Sequence, residues 1–247
     1  AISLESGANS LKRLDRIQRF MVPGNQTLED LVWELRHPDR VDPRRVVQVD
    51  LDYIYDPDPV QQKRNLDQLL DRIKGLQINT VFLQAFADTD GDGIADELYF
   101  PNRYLPMRAD LFNRVAWQLK TRSGVNVYAW LPVLAFNLGT PDMIVQQASG
   151  IKTDNADRRL SPFHPHARQI ILDIYEDLAR YADFEGLLFH DDAYLTDVED
   201  ANPAALAWYR EKWQMAGDLA ALRGDPIMKK RWTQAKTQAL VNWTNAL

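Results

Sequence analysis

The chain has no cysteine, which excludes disulfides and thiolate-held metals and leaves the compartment open. It has no run of about 18 apolar residues, so no stretch reads as a membrane-crossing helix. Positive charge is in deficit: 29 Lys and Arg against 35 Asp and Glu give a net charge of −6, which argues against nucleic acid and suits a neutral or cationic ligand. No GxGxxG or GxxxxGK loop follows an apolar run, which removes the usual nucleotide-binding readings. What remains, 45% apolar and 26% charged residues in 247, suits one large globular domain or two small ones. The opening Ala1-Ile2-Ser3-Leu4 has neither a charged n-region nor an apolar signal core, and reads as a strand entered in mid-stride within something longer.

The most informative stretch is Phe184-Glu185-Gly186-Leu187-Leu188-Phe189-His190-Asp191-Asp192, followed by Asp197. Leu187 to Phe189 is a short apolar run after a glycine, long enough for a buried strand, and it ends in a histidine and two carboxylates. Alternation puts His190 and Asp192 on one face and turns Asp191 the other way. Strands that discharge acids at their C-terminal ends are where α/β proteins place their chemistry.

The rest of the chain repeats that unit. Strands are predicted at 45–53, 80–86 and 125–132, and helices at 61–74, 109–121, 167–181, 203–222 and 229–247. In the first strand, alternation sets Asp50 and Asp52 on one face and Val47, Val49 and Leu51 on the other. Gly75 supplies a helix stop, and His164 and His166 beside Pro165 read as capping or surface residues. Trp117, Trp208, Trp213, Trp232 and Trp243 fall on helices and read as core. Strands recurring at roughly 35 to 60 residues, separated by helices, mean βαβ units and a parallel sheet. Four strands are too few for a closed (β/α)8 TIM-like barrel, so the chain reads as roughly the first half of one, with a complete open four-stranded sheet as the rival. Upstream, Thr27 to Leu35 reads as a capped helix, and the two prolines in 37–43 mark a linker between residues 1–36 and 44–247.

Five carboxylates (Asp50, Asp52, Asp191, Asp192 and Asp197) cluster at the ends of two strands. Glycosidic hydrolysis needs one acid that holds a proton and a second carboxylate as nucleophile or base, and crowded acids raise one another's pKa. Single Asp residues at strand ends often serve only as helix caps. The set His190, Asp192 and Asp50 could instead hold zinc or iron, although no HxxxH spacing supports it. Asp88, Asp90 and Asp92, in D-x-D-x-D-G with a further acid at the ninth position, fit the opening of a calcium loop; Tyr99 stands where a bidentate Glu belongs, and a solvated acidic turn is the alternative. Tyr53, Tyr55, Phe86, Tyr99, Phe100, Tyr104, Trp130 and Tyr194 lie at or after strand ends, where rings could stack on sugar faces.

In order along the chain, Val49-Asp50-Leu51-Asp52-Tyr53, Leu83-Gln84-Ala85-Phe86-Ala87-Asp88 with Asp90-Gly91-Asp92-Gly93, Phe100-Pro101-Asn102-Arg103, Ala116-Trp117-Gln118-Leu119, Leu160-Ser161-Pro162-Phe163 and Phe189-His190-Asp191-Asp192-Ala193 resemble the C-terminal domain of the periplasmic poly-β-1,6-N-acetyl-D-glucosamine deacetylases of Gram-negative biofilm systems. The resemblance implies that 1–36 is the end of a deacetylase domain whose metal ligands lie upstream, and that 44–247 is the N-terminal half of a glycoside hydrolase barrel acting on partly deacetylated polymer. It matches Asp197 to the key catalytic acid, with Asp50, Asp52, Asp191 and Asp192 lining the acidic cleft that holds glucosamine units; Asp191 and Asp192 are counted with Asp197 as catalytic candidates, and Tyr53, Trp130 and His190, from their own places at strand ends, are counted with Asp50 and Asp52 as substrate-binding candidates. No cofactor is expected, with calcium a candidate at the Asp88 loop from its spacing alone. The resemblance further implies a periplasmic, outer-membrane-associated parent, the glucosamine polymer and an export porin as partners, and no nucleic acid. A non-catalytic module guiding the cationic polymer to export is the alternative function.

Overall fold

The structure, a computed structural model, describes residues 44–147 and 158–247. The expected helix at Thr27–Leu35, the linker at 37–43 and the remnant at 1–36 lie outside them. The elements run β1 (Val46–Val49), α1 (Pro59–Gly75), β2 (Thr80–Gln84), β3 (Phe86–Ala87), β4 (Glu97–Leu98), α2 (Phe112–Ser123), β5 (Asn126–Leu131), α3 (Pro165–Tyr181), β6 (Gly186–Phe189), α4 (Pro203–Glu211), α5 (Leu219–Gly224) and α6 (Pro226–Thr244). Four strands form one parallel sheet in the order β1-β2-β5-β6, and β3 pairs antiparallel with β4. Each neighbour in the large sheet is the next strand of the βα series, with β1 and β6 as edges. This is the expected partial barrel, which does not close among the described residues.

Register sorts the two faces. Val49, Leu83, Ala129 and Leu187 form one row across the sheet; the first three are buried against apolar residues of α1, α2 and α3. The rows on either side point the other way, because side chains alternate along a strand. Below lie Gln48, Phe82, Tyr128 and Gly186; above lie Gln84, Trp130 and Leu188. Phe82 meets Tyr128 edge-on at 5.7 Å. Tyr128 fills the space beside Gly186 so fully that a Cβ there would stand 2.9 Å from its ring. The face opposite the helices is therefore lined by aromatic and polar groups, leading up to the strand ends.

Local chemistry explains several boundaries. The strand expected over 45–53 stops at Val49, because the Asp50 carboxylate accepts the Asp52 N–H at 2.8 Å and caps a 3₁₀ turn, Leu51–Tyr53. Gly75 is the last residue of α1, and the left-handed conformation falls instead on Gln77 (φ 53°). Gly124, at φ 66°, closes α2. The helix expected over 203–222 is two, with Gln214 at φ 54° between them. His164 caps α3, its Nδ1 accepting the Ala167 N–H at 3.3 Å.

One core expectation is corrected. The buried stripe of α2 is Phe112, Val115, Ala116 and Leu119, and Trp117 faces away, 62% exposed. Replacing Trp117 by Lys should accordingly change unfolding free energy by less than about 0.5 kcal/mol in a denaturant titration. Trp232 and Trp243 are buried as expected. Trp232 belongs to a second, smaller core with Phe163, Tyr209, Met215, Leu219 and Leu222.

A buried polar seam runs between this smaller core and residues 142–147 and 158–161. Arg159 Nη2 contacts both Glu199 oxygens at 3.1 Å, with the two side chains almost fully buried. Lys236 donates to the carbonyls of Thr196 and Glu199 at 2.6 Å. Asp200 accepts from Ser161 Oγ (2.6 Å) and from the N–H groups of Gln146 (3.0 Å) and Asn202 (2.8 Å). Burial still dominates and pushes the Asp200 carboxyl up to about 6 from 3.8. A folded pKa above the unfolded one means the folded state keeps a proton that the unfolded chain has lost. That contribution is complete below about pH 4 and disappears as pH rises through about 6, for a span of about 3 kcal/mol. Asp200→Asn should therefore flatten stability between pH 4 and 6.5 relative to the wild type, and parallel curves for the two would exclude Asp200 as the cause.

Candidate functional site

The site is built at the C-terminal ends of the parallel strands. At the β1 edge, Asp50 is partly exposed; burial raises its pKa, and the charges of Asp52 and Asp88 add to that while its bond from the Asp52 amide opposes it. Asp52 accepts a hydrogen bond from the hydroxyl of Tyr99 and lies 3.8 Å from Arg108 Nε. Arg108 also bonds Glu97 at 2.8 Å and covers the Tyr55 ring at 4.8 Å. Tyr99 is fully buried and its hydroxyl is pushed well above the usual tyrosine range, first by burial and then by Asp52. Tyr99 and Phe100, counted among the sugar-stacking candidates, are thus core residues. Tyr104 bonds Asp173 of α3, whereas Tyr53 stands out from the 3₁₀ turn, 85% exposed.

At the β6 edge an aromatic group forms. Trp130 lies 5.9 Å from Phe86 and 5.5 Å from His190, and Phe86 lies 5.9 Å from His190. His190 Nε2 approaches Asp191 Oδ1 at 3.3 Å, and the Asp191 side chain is 96% exposed. Asp192 turns the opposite way, into the backbone amides of Val133, Leu134 and Ala135. Asp197 lies five residues further along the chain. It is exposed and paired at 2.6 Å with Lys229 in the first turn of α6, which holds its pKa below the usual carboxylate range, with help from Lys236 and Arg223.

Beside Asp50, the loop between β3 and β4 gathers Asp88, Asp90 and Asp96, one oxygen from each lying within 4.8 Å of the others. Asp88 accepts the amides of Gly91 (2.8 Å), Asp92 (3.1 Å) and Gly93 (2.9 Å), a turn that Gly91 and Gly93 permit with φ of 77° and 85°. Asp92 bonds the Ile94 amide at 2.9 Å and lies outside the group of three. Burial and the charges of Asp90, Asp88 and Asp96 raise the pKa of the Asp92 carboxyl, and the hydrogen bond from that amide opposes them.

The sequence therefore locates Asp50, Asp52, Trp130, His190 and Asp191 at one end of one sheet, with the acidic loop at the β1 side and the aromatic group toward β6. Phe86, named among the strand-end aromatics, joins the group toward β6, whereas Arg108 and the seam of Arg159, Glu199, Asp200 and Lys236 escaped the sequence reading. The seam could not have been found from sequence, because its members are 77 positions apart at the extremes and carry no shared spacing.

A parallel βα sheet with acids and aromatic rings at its strand ends is the arrangement of a glycoside hydrolase. Residues 48–247 match the family described as hypothetical glycosyl hydrolase family 13, and the chain belongs to that family. Among its relatives, the poly-beta-1,6-N-acetyl-D-glucosamine N-deacetylases of Escherichia coli strains K12 and O157:H7 are each 44% identical over 247 residues, covering 98% of this chain. The chain spans 37% of their length. The solved structure of the PgaB (BpsB) glycoside hydrolase domain from Bordetella bronchiseptica is 57% identical, with a TM-score of 0.76 over 81% of this chain and 59% of that one.

Proposed function

We propose that this chain is part of a glycoside hydrolase that cleaves partly deacetylated poly-β-1,6-N-acetyl-D-glucosamine by carboxylate acid/base chemistry. The observation that carries the reading is the sorting of the site: acids at the β1 side suited to the ammonium groups of glucosamine units, and the Trp130, Phe86 and His190 rings toward β6 suited to the apolar faces of pyranoses. The relatives support the polymer as substrate, since their names carry the same polysaccharide and a hydrolase domain. In the proposed setting the protein works in the periplasm of a biofilm-forming cell and hands cut polymer toward an outer-membrane porin. No described helix is long and apolar enough to cross a membrane.

Within this reading Asp197 and Asp191 are the catalytic carboxylates, and Asp50, Asp52, Tyr53, Trp130 and His190 hold the polymer. The test is incubation with fully acetylated, partly deacetylated and fully deacetylated polymer, followed by product size in mass spectrometry. Shortening of the partly deacetylated sample is the expected result. Binding to it with no change in size would refute hydrolysis and leave a polymer-guiding module.

A further inference from the structure

The Asp191-Asp192 doublet divides in the structure. Asp191 faces solvent, whereas Asp192 is 6% exposed and accepts four hydrogen bonds from three consecutive amides. Val133 N–H reaches Oδ1 at 3.0 Å and Oδ2 at 3.1 Å; Leu134 and Ala135 N–H reach Oδ2 at 2.5 and 2.6 Å. Successive N–H dipoles converging in this way form an anion-holding concavity, and here the chain's own carboxylate fills it. Among the described residues, these amides find their acceptor in Asp192 alone.

The segment so held is where the rim of the site meets. Ala95, from the acidic loop, donates its N–H to Ala135 O at 3.0 Å and receives that of Asn137 at 2.9 Å. Leu160 N–H bonds Leu134 O at 2.9 Å, and the Tyr175 hydroxyl of α3 bonds Pro132 O at 2.8 Å. Asp192 itself sits two residues from His190, whose ring packs on Trp130 and Phe86. Burial raises the pKa of this carboxyl and the three amides oppose that; Oδ2 accepts from all three amides and Oδ1 from one, and at 6% exposure the group is ill placed to pass a proton to a substrate.

We infer that Asp192 is a positioning residue: its carboxylate ties the Val133–Ala135 segment to the end of β6, and so sets His190 and Asp191 against Trp130 and the acidic loop. The inference rests on the hydrolase reading for its kinetic consequence and on geometry for the rest. Such a clamp needs acceptor oxygens in place, whereas an acid or base needs a titrating proton. Asp192→Asn keeps one acceptor and cannot titrate; Asp192→Ala keeps neither property.

The test compares these two variants with the wild type and Asp191→Asn in amide hydrogen exchange of 133–135, affinity for β-1,6-linked glucosamine oligomers by calorimetry, and the pH profile of kcat/KM. Asp192→Ala is expected to speed exchange at 133–135, weaken oligomer binding and lower kcat/KM by about 100-fold, the scale of a misplacement of roughly 1 Å. Asp192→Asn should recover much of that loss, and its pH profile should keep both limbs. An Asn variant as inactive as Ala, with wild-type exchange and binding, would overturn the inference, as would loss of one limb. Should the wild type cleave nothing, the hydrolase reading fails separately. Exchange and oligomer binding then decide: both unchanged in Asp192→Ala overturns the clamp, and faster exchange with weaker binding supports it.

Discussion

Replacing Arg159 by Met should lower stability by about 3–5 kcal/mol, on the order of 10 °C in thermal midpoint for a chain of this size. The guanidinium contacts both oxygens of Glu199 at 3.1 Å, donates to the Tyr194 carbonyl and covers the Tyr194 ring at 3.9 Å. Glu199 also accepts the Thr196 N–H at 2.9 Å, and it is 1% exposed, so losing Arg159 strands a charge that cannot reach water. Removing both charges is a different matter, because the desolvation of each ion offsets most of their attraction. Arg159→Met with Glu199→Gln should therefore recover part of the single-variant loss. Calorimetric midpoints of the three variants check this; a double variant as unstable as the sum of the singles would show that the pair is not coupled. The seam also holds Thr196 through Lys236, so its loosening should reach the loop that carries Asp197.

Replacing Asp197 by Asn should lower kcat/KM on the partly deacetylated polymer by about 10²–10⁴-fold, the usual worth of a positioned acid or base. Its pairing with Lys229 assigns the protonation state: a carboxyl held below the usual range is ionised at working pH, which suits a base, nucleophile or charge stabiliser rather than a proton donor. Activity that needs this ionised form should persist as pH falls until Asp197 protonates. Lys229→Met removes the cation, lets the carboxyl rise, and should move the acid limb of the profile to higher pH. Both groups are exposed, so the displacement should shrink as salt is raised. Wild-type cleavage by Asp197→Asn would remove Asp197 from the chemistry, and an unmoved acid limb in Lys229→Met would remove the pairing from it.

Much of this protein was readable from local pattern alone. The apolar periods gave strands and helices in their right order, because alternation and 3.6-residue stripes are imposed by backbone geometry on any chain that buries one face. The acids at strand ends were legible for the same reason: a buried strand that turns polar has reached its rim. Trp117 shows where this reading slips, since its place on a helix read as core and its angle around α2 put it in water. Asp50 shows another, its side chain outcompeting the ladder and ending β1 early.

By itself, the sequence determined the parallel βα architecture, the end of the sheet that carries chemistry and the family resemblance, all of which are written in nearest neighbours and short periods. Tertiary structure alone decided what each acid does. Asp191 and Asp192 are adjacent and chemically identical, yet one meets solvent and the other the amides of residues 133–135, nearly sixty positions away. The same holds for Asp197 beside Lys229 and for Asp200 within its buried seam. A carboxylate's role is set by its dielectric surroundings and by the donors that reach it, and those arrive from distant parts of the chain only when it folds.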